Sequence, residues 1–246
     1  MYLFVFLVIV VAISVAFFLS IQKPPTCFDG IQNQDESGVD CGGVCYKLCT
    51  AEQAPLTVIW ARTSKIQDGL YNAVAYVQNS NLNGFANNVF YHFSLYDKDG
   101  VLIYERRNTA PINIPPRSVV AIFEPGLFTD KAVSARVIFD FDGNFDWYKS
   151  KELNDPLSVV DKQVFDASSS PKFIATIKNS SLNPINNVKA VAIIYDEYGT
   201  AQQFSQTILD EVPAQGSVTA PFTWPEPFTF LPARTEVVLM PDYQLK

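Results

Sequence analysis

Histidine occurs once in the 246 residues, at His92, and cysteine does not occur after Cys49. A catalytic triad would have to be built on that one imidazole, and no Gly-x-Ser-x-Gly elbow accompanies it. No His-Glu-x-x-His pair offers a zinc site, and no glycine-rich loop offers a phosphate cradle. Lysine and arginine number 18 against 25 aspartate and glutamate and never form a run, leaving a net charge of −7. A nucleic-acid surface needs the opposite sign, because binding rests on neutralising phosphates. Charge is sparse at 17% and apolar residues reach 48%, which excludes a disordered chain.

Residues 2–21 carry no charge and are apolar apart from Ser14 and Ser20. Twenty residues of helix span about 30 Å, the thickness of a bilayer's hydrocarbon core. A signal peptide has a shorter apolar region, a basic start and a small-residue cleavage site, and these features are missing here. The run therefore predicts an uncleaved transmembrane anchor over residues 1–22. Lys23 taken alone would hold the following side in the cytoplasm, but long domains translocate largely regardless of charge. The cysteines favour the other side: all four, Cys27, Cys41, Cys45 and Cys49, cluster just past the run, as expected of disulfides in an oxidising space.

The segment 23–54 is too short and polar to bury a core and needs a staple. Two disulfides would suffice, with three pairings open. Oxygen donors are dense at Asp29, Asn33, Asp35, Glu36 and Asp40, which suits a calcium ion held on a glycine-flexible loop. The competing reading gives the same residues to turns. Zinc on the thiolates is a third reading, which needs a reducing compartment. Cys27, Asp29-Gly30, Asn33, Glu36, Gly38, Asp40-Cys41-Gly42-Gly43 and Cys45 resemble short cysteine-rich motifs of bacterial surface proteins. That resemblance implies an extracytoplasmic setting and no catalysis.

The rest of the chain says one sentence twice. Val77-Gln78-Asn79-Ser80-Asn81-Leu82-Asn83 recurs as Ile177-Lys178-Asn179-Ser180-Ser181-Leu182-Asn183. Asn87-Asn88-Val89 recurs as Asn186-Asn187-Val188, and Leu95-Tyr96-Asp97 with Gly100 as Ile194-Tyr195-Asp196 with Gly199. An offset near one hundred residues is the size of a whole domain. In each copy short β-branched and aromatic runs are punctuated by turn residues. Residues 89–96 alternate as a strand with one face on a core. Two tandem antiparallel β-sandwiches of immunoglobulin-like type are predicted, over 55–148 and 157–246. The short linker 149–156 suggests that they stack end to end.

Phe93-Ser94-Leu95-Tyr96-Asp97 reads Phe-x-Leu-Tyr-Asp, and module one resembles the FxLYD domain family over residues 56–141. Module two is a more distant copy, with Ala192 for the Phe and Ile194 for the Leu. The resemblance implies a small immunoglobulin-like sandwich in an extracytoplasmic protein and supplies no active site. Asp97 and Asp196 have a structural account, as side chains bonding turn amides before a glycine.

Other candidates have plain readings. His92 sits mid-strand, where a lone histidine packs rather than reacts. Asp140, Asp142 and Asp146 surround an ordinary Asp-Gly turn. Phe141, Phe145, Trp147 and Tyr148, with Phe222, Trp224, Phe228 and Phe230, read as plugs for the sandwich ends and the joint. Asn179-Ser180-Ser181 forms a glycosylation sequon. The expectation is a non-enzymatic, single-span, membrane-anchored extracytoplasmic protein without a certain cofactor, calcium apart. It would present two modules for binding, adhesion or spacing to protein or glycan partners at the cell envelope. The alternative is a structural subunit of a larger envelope, secretion or pilus assembly.

Overall fold

The structure, a computed structural model, describes residues 4, 6, 7, 10, 11, 13–15, 26–33, 35–130, 132–150 and 156–243. The chain divides into two compact units, Met1–Cys49 and Thr50–Lys246.

In the first unit the described helical positions fall between residues 4 and 15. Among the described residues no helix is long and apolar enough to cross a membrane. The expected transmembrane helix over 1–22 is therefore corrected. The expectation rested on apolar content alone, and positions 16–25 lie outside the described residues. The unit closes with a bridge between Gly38 and Cys41 and a two-residue strand, β1 (Lys47–Leu48).

The second unit is all-β. Its first half holds β2 (Thr57–Gln67), β3 (Leu70–Asn79), β4 (Gly84–Tyr96), β5 (Leu102–Arg107), β6 (Ile112–Ile114), β7 (Ser118–Phe128), β8 (Arg136–Asp142) and β9 (Asp146–Lys149). Strands β2-β3-β7 make one sheet, and β4 pairs with β5, β6, β8 and β9 in the other, all antiparallel. The second half holds β10 (Leu157–Phe165), β11 (Lys172–Asn179), β12 (Ile185–Tyr195), β13 (Ala201–Val212), β14 (Ser217–Thr223) and β15 (Arg234–Met240). Its sheets are β10-β11-β14 and β13-β12-β15. The pairings β2-β3-β7 and β5-β4-β8 are thus repeated strand for strand, and the sequence repeat is a repeat of topology.

Alternation explains each core. In β4, Val89, Tyr91, Phe93 and Leu95 are buried, while His92 and Tyr96 are half-buried on the other face. In β12, Val188, Ala190, Ala192 and Ile194 join Phe173, Ile177, Phe222 and Trp224 in the second core. Yet Val191, Ile193 and Tyr195, on the opposite face of β12, are buried too. They pack with Phe204 and Val238 against Val74 and Ala121 of the first half, flanked by Trp60, Tyr76, Phe123 and Met240. The outer face of β3 and β7 therefore lies on the outer face of β12, β13 and β15. The two sandwiches meet sheet to sheet, and the expected end-to-end stacking is corrected. Linker positions 151–155 lie outside the described residues. A short connection limits reach but does not decide which faces meet; the apolar outer face of β12 does.

Candidate functional site

The repeated residues are accounted for by backbone geometry. Asn79, 1% exposed, donates from Nδ2 to the carbonyls of Gly84 (2.8 Å), Ile114 (3.1 Å) and Pro115 (2.9 Å). Its Oδ1 accepts from the Asn81 backbone (3.1 Å) and side chain (3.0 Å). Asn179, fully buried, donates to Asn183 O (2.9 Å) and Val212 O (3.1 Å) and accepts from the amide and hydroxyl of Ser181. Each asparagine ties the end of one strand to the opposite sheet by donating to its backbone carbonyls. The sequon at Asn179 therefore offers no accessible amide in the folded chain.

Asn88 and Asn187 sit at φ 58° and 54°, a left-handed region that asparagine tolerates better than most side chains. At Asn88 the β4–β6 register shifts between Ala86 and Val89, a bulge, whereas the β12–β13 register runs unbroken past Asn187. Asp97 Oδ1 accepts from the amides of Asp99 (2.9 Å) and Val101 (2.8 Å), and Asp196 Oδ1 from Tyr198 (3.0 Å) and Thr200 (2.8 Å). The Gln202 side chain donates to Asp196 as well and, with those amides, holds its carboxyl below the usual range.

In the first unit the cysteines pair as Cys27–Cys45 and Cys41–Cys49, and none is free among the described residues. A zinc site on thiolates is thereby removed. Four of the five proposed oxygen donors come together. Asp40 accepts from the amides of Asp29 (2.9 Å) and Gly30 (3.0 Å). Asp29 accepts from Thr26 N (3.0 Å), Asn33 Nδ2 (2.9 Å) and Ile31 N (3.0 Å). The Thr26 amide first, then Asn33, hold the Asp29 carboxyl below the usual carboxylate range. Glu36, 7% exposed, accepts from Asn33 N (3.2 Å) and lies 3.0 Å from the Cys45 sulfur. Asp35 is exposed, and its side chain takes no part in this network. Gly38, Gly42 and Gly43 serve close packing, whereas Gly30 has open space and a positive φ. At Gly43 (φ +51°) a Cβ would fall 1.5 Å from the Asp35 carbonyl oxygen.

Sequence reasoning missed two clusters. The first lies on the outer face of β4, β5 and β8. His92 Nδ1 meets Asp142 Oδ1 at 2.8 Å, Arg107 reaches the same oxygen at 2.6 Å, and His92 Nε2 faces Asp140 at 3.9 Å. Burial alone would raise the Asp142 carboxyl, but hydrogen bonds from His92 and Arg107 outweigh it and hold the group low. Both imidazole nitrogens face carboxylates, and the Ser94 hydroxyl points to Glu105 (3.4 Å). No nucleophile is presented to the histidine. Strand register, which sequence does not fix, brings Asp140 opposite His92.

The second cluster bridges the two sandwiches. Glu236 of β15 accepts from the hydroxyls of Tyr76 (2.5 Å) and Tyr195 (2.8 Å) and from Arg234 (3.2 Å), whose guanidinium lies 3.6 Å from the Tyr195 ring centroid. Trp60 stacks on Tyr76 at 5.1 Å and on Phe204 across the seam at 5.9 Å. Of the aromatics expected to plug the ends, Trp147 is 2% exposed, and Phe222, Trp224, Phe228 and Phe230 belong to the second core. The seam draws on other rings.

Burial, then the Glu236 hydrogen bond and charge, raises both phenols, Tyr195 to about 12 and Tyr76 further. A phenol whose pKa is raised on folding lends stability that is full below its unfolded value near 10 and is lost as pH rises through the folded value. The seam is therefore expected to weaken between pH 10 and 12. Tyrosine absorbance at 295 nm, followed with Trp60 fluorescence, checks this. In Glu236→Gln both phenols should titrate at lower pH.

No known protein family matches the chain, and no curated protein is similar to it. Among solved structures the chain is similar to red sea bream transglutaminase at 15% identity and a TM-score of 0.26. The match covers 76% of this chain and 29% of that one, so the chain spans under a third of that structure's length. A likeness of that degree shows neither a shared fold nor a shared activity.

Proposed function

We propose that the chain is a non-enzymatic extracytoplasmic protein that presents two immunoglobulin-like modules as one rigid body, for binding, adhesion or spacing at the cell envelope. The observation that carries this reading is that the residues the two copies share are spent on strand ends, left-handed backbone positions and turns. Two disulfides in a unit of 49 residues support an oxidising location. The likeness of Phe93-Ser94-Leu95-Tyr96-Asp97 to the FxLYD family, and of the cysteine segment to bacterial surface motifs, points the same way. Partners would be proteins or glycans of the envelope. Non-reducing peptide mapping of protein from its native host tests the location. Linked Cys27–Cys45 and Cys41–Cys49 are expected; four free thiols would overturn it.

A second reading, a structural subunit of a larger envelope, secretion or pilus assembly, draws on β10. This edge strand exposes Val160, Val164 and Phe165, and an open edge offers unpaired backbone to another chain. One stoichiometric companion after gentle cross-linking of native material would favour that reading.

Calcium in the cysteine unit belongs with these proposals. Its support is Asn33 Oδ1, a buried acceptor without a partner among the described residues, beside the carboxylates of Asp29, Glu36 and Asp40. Such a site predicts that chelation speeds proteolysis between Cys27 and Cys49. Resistance unchanged by chelator, and lost only on reduction, would assign the hold to disulfides and hydrogen bonds alone.

A further inference from the structure

A cavity of about 280 Å³ opens where β4, β6 and β7 of the first sandwich meet β12, β13 and the end of β15 of the second. Ile122, Phe123 and Met240 give it apolar walls, Gln206 and Asn113 add amides, Lys189 and Asp242 line it as charged residues, and Tyr91 lines it from β4. The Tyr91 ring is held between Phe139, stacked at 5.3 Å, and Phe93, edge-on at 6.0 Å. Only 7% of the residue is exposed.

Tyr91 is singled out by its hydroxyl. Among the described residues that hydroxyl has no hydrogen-bond partner, and it is not one of the polar atoms sealed from solvent, so it is open to a partner from outside the chain. Burial, and then the charge of Glu124, raises its pKa, so it stays protonated as both donor and acceptor. The fold does not demand it. The equivalent position in the second copy is Ala190, which is fully buried in a core of its own. A hydroxyl that the sandwich can do without, held rigidly at the wall of a cavity, is an arrangement suited to a ligand. The volume lies near the lower end for ligand sites.

We propose that this cavity binds a ring-sized apolar molecule carrying one hydrogen-bonding group, its ring against Ile122, Phe123 and Met240 and its polar group on the Tyr91 hydroxyl. The site goes beyond the presenting role above. A rigid two-module body that bound nothing here would still keep its seam, so the two readings fail separately.

The test uses the full chain with two probes of equal shape, indole and indene, followed by saturable amide shifts in an NMR titration. Indole can donate its N–H to the Tyr91 oxygen; indene cannot. Indole is expected to bind about fivefold to tenfold more tightly, the worth of one such hydrogen bond. Tyr91→Phe keeps the ring and should bring the two affinities together without lowering Tm. Gln206→Trp, which places an indole side chain in the cavity, should abolish binding of both probes. Absence of saturable binding by either probe would overturn the proposal. So would an indole preference that survives Tyr91→Phe, or binding retained in Gln206→Trp.

Discussion

Replacing Asn179 by alanine should cost about 3–5 kcal/mol of stability, and Asn79→Ala a similar amount. Each side chain is buried and makes at least four hydrogen bonds. Alanine would remove the buried side-chain donor from the Val212 carbonyl in one copy and from the Gly84 and Ile114 carbonyls in the other, while Pro115 O would keep the Ser118 hydroxyl. A buried group left unpaired costs about 1–3 kcal/mol, more than a typical hydrogen bond contributes net. Aspartate is no substitute, since it keeps the acceptor, loses the donors and buries a charge. Urea denaturation measures the loss. A cost under about 1 kcal/mol at both positions would mean that the repeated asparagines are kept for some other reason, and the structural account of the repeat would fall.

Ile193→Asp is expected to separate the sandwiches while leaving each of them folded, at a cost of about 4 kcal/mol or more in docking. Ile193 is fully buried on the outer face of β12, within the cluster that holds Val74, Ala121 and Phe204. A carboxylate there would meet no cation in that cluster of described residues and must either take up a proton or open the seam. The second core is built from the other face of β12, so it need not fail with the seam. Copy one supports this separation. Its residue at the equivalent position is Ser94, bonded to Glu105, and its sandwich is complete with a polar side chain there. Native-state hydrogen exchange and small-angle scattering read the outcome. Preserved strand amides with a lengthened particle are expected. Global unfolding would show that the second sandwich depends on the first.

Much of the β architecture was legible because two-residue alternation and turn chemistry are local. The run 89–96 alternates cleanly, Asp97 and Gly100 mark their turn, and the offset between Asn79 and Asn179 exposes the duplication. The seam was written in the sequence less openly. Positions 190–195 read Ala-Val-Ala-Ile-Ile-Tyr, without the polar alternation that His92 and Ser94 bring to copy one. A strand that loses its polar face in one copy and keeps it in the other has gained a cover, and a comparison of the copies would have found it. The cysteine pairing was not legible, since three pairings are equal until the chain folds. The His92–Asp142–Arg107 cluster needs β4, β5 and β8 in register, and register is set by tertiary packing. The anchor over residues 1–22 rested on apolar content alone, and among the described residues no helix is long and apolar enough to cross a membrane.

The most direct measurement is of backbone residual dipolar couplings from both sandwiches of the full chain in one alignment medium. Amides of β3 and β7 in the first sandwich, and of β11 and β14 in the second, report the two bodies independently. A shared seam of Trp60, Tyr76, Phe204 and Glu236 predicts a single alignment tensor that fits all of them. Two tensors of different magnitude would mean that the modules tumble apart, and would contradict the rigid two-sandwich body.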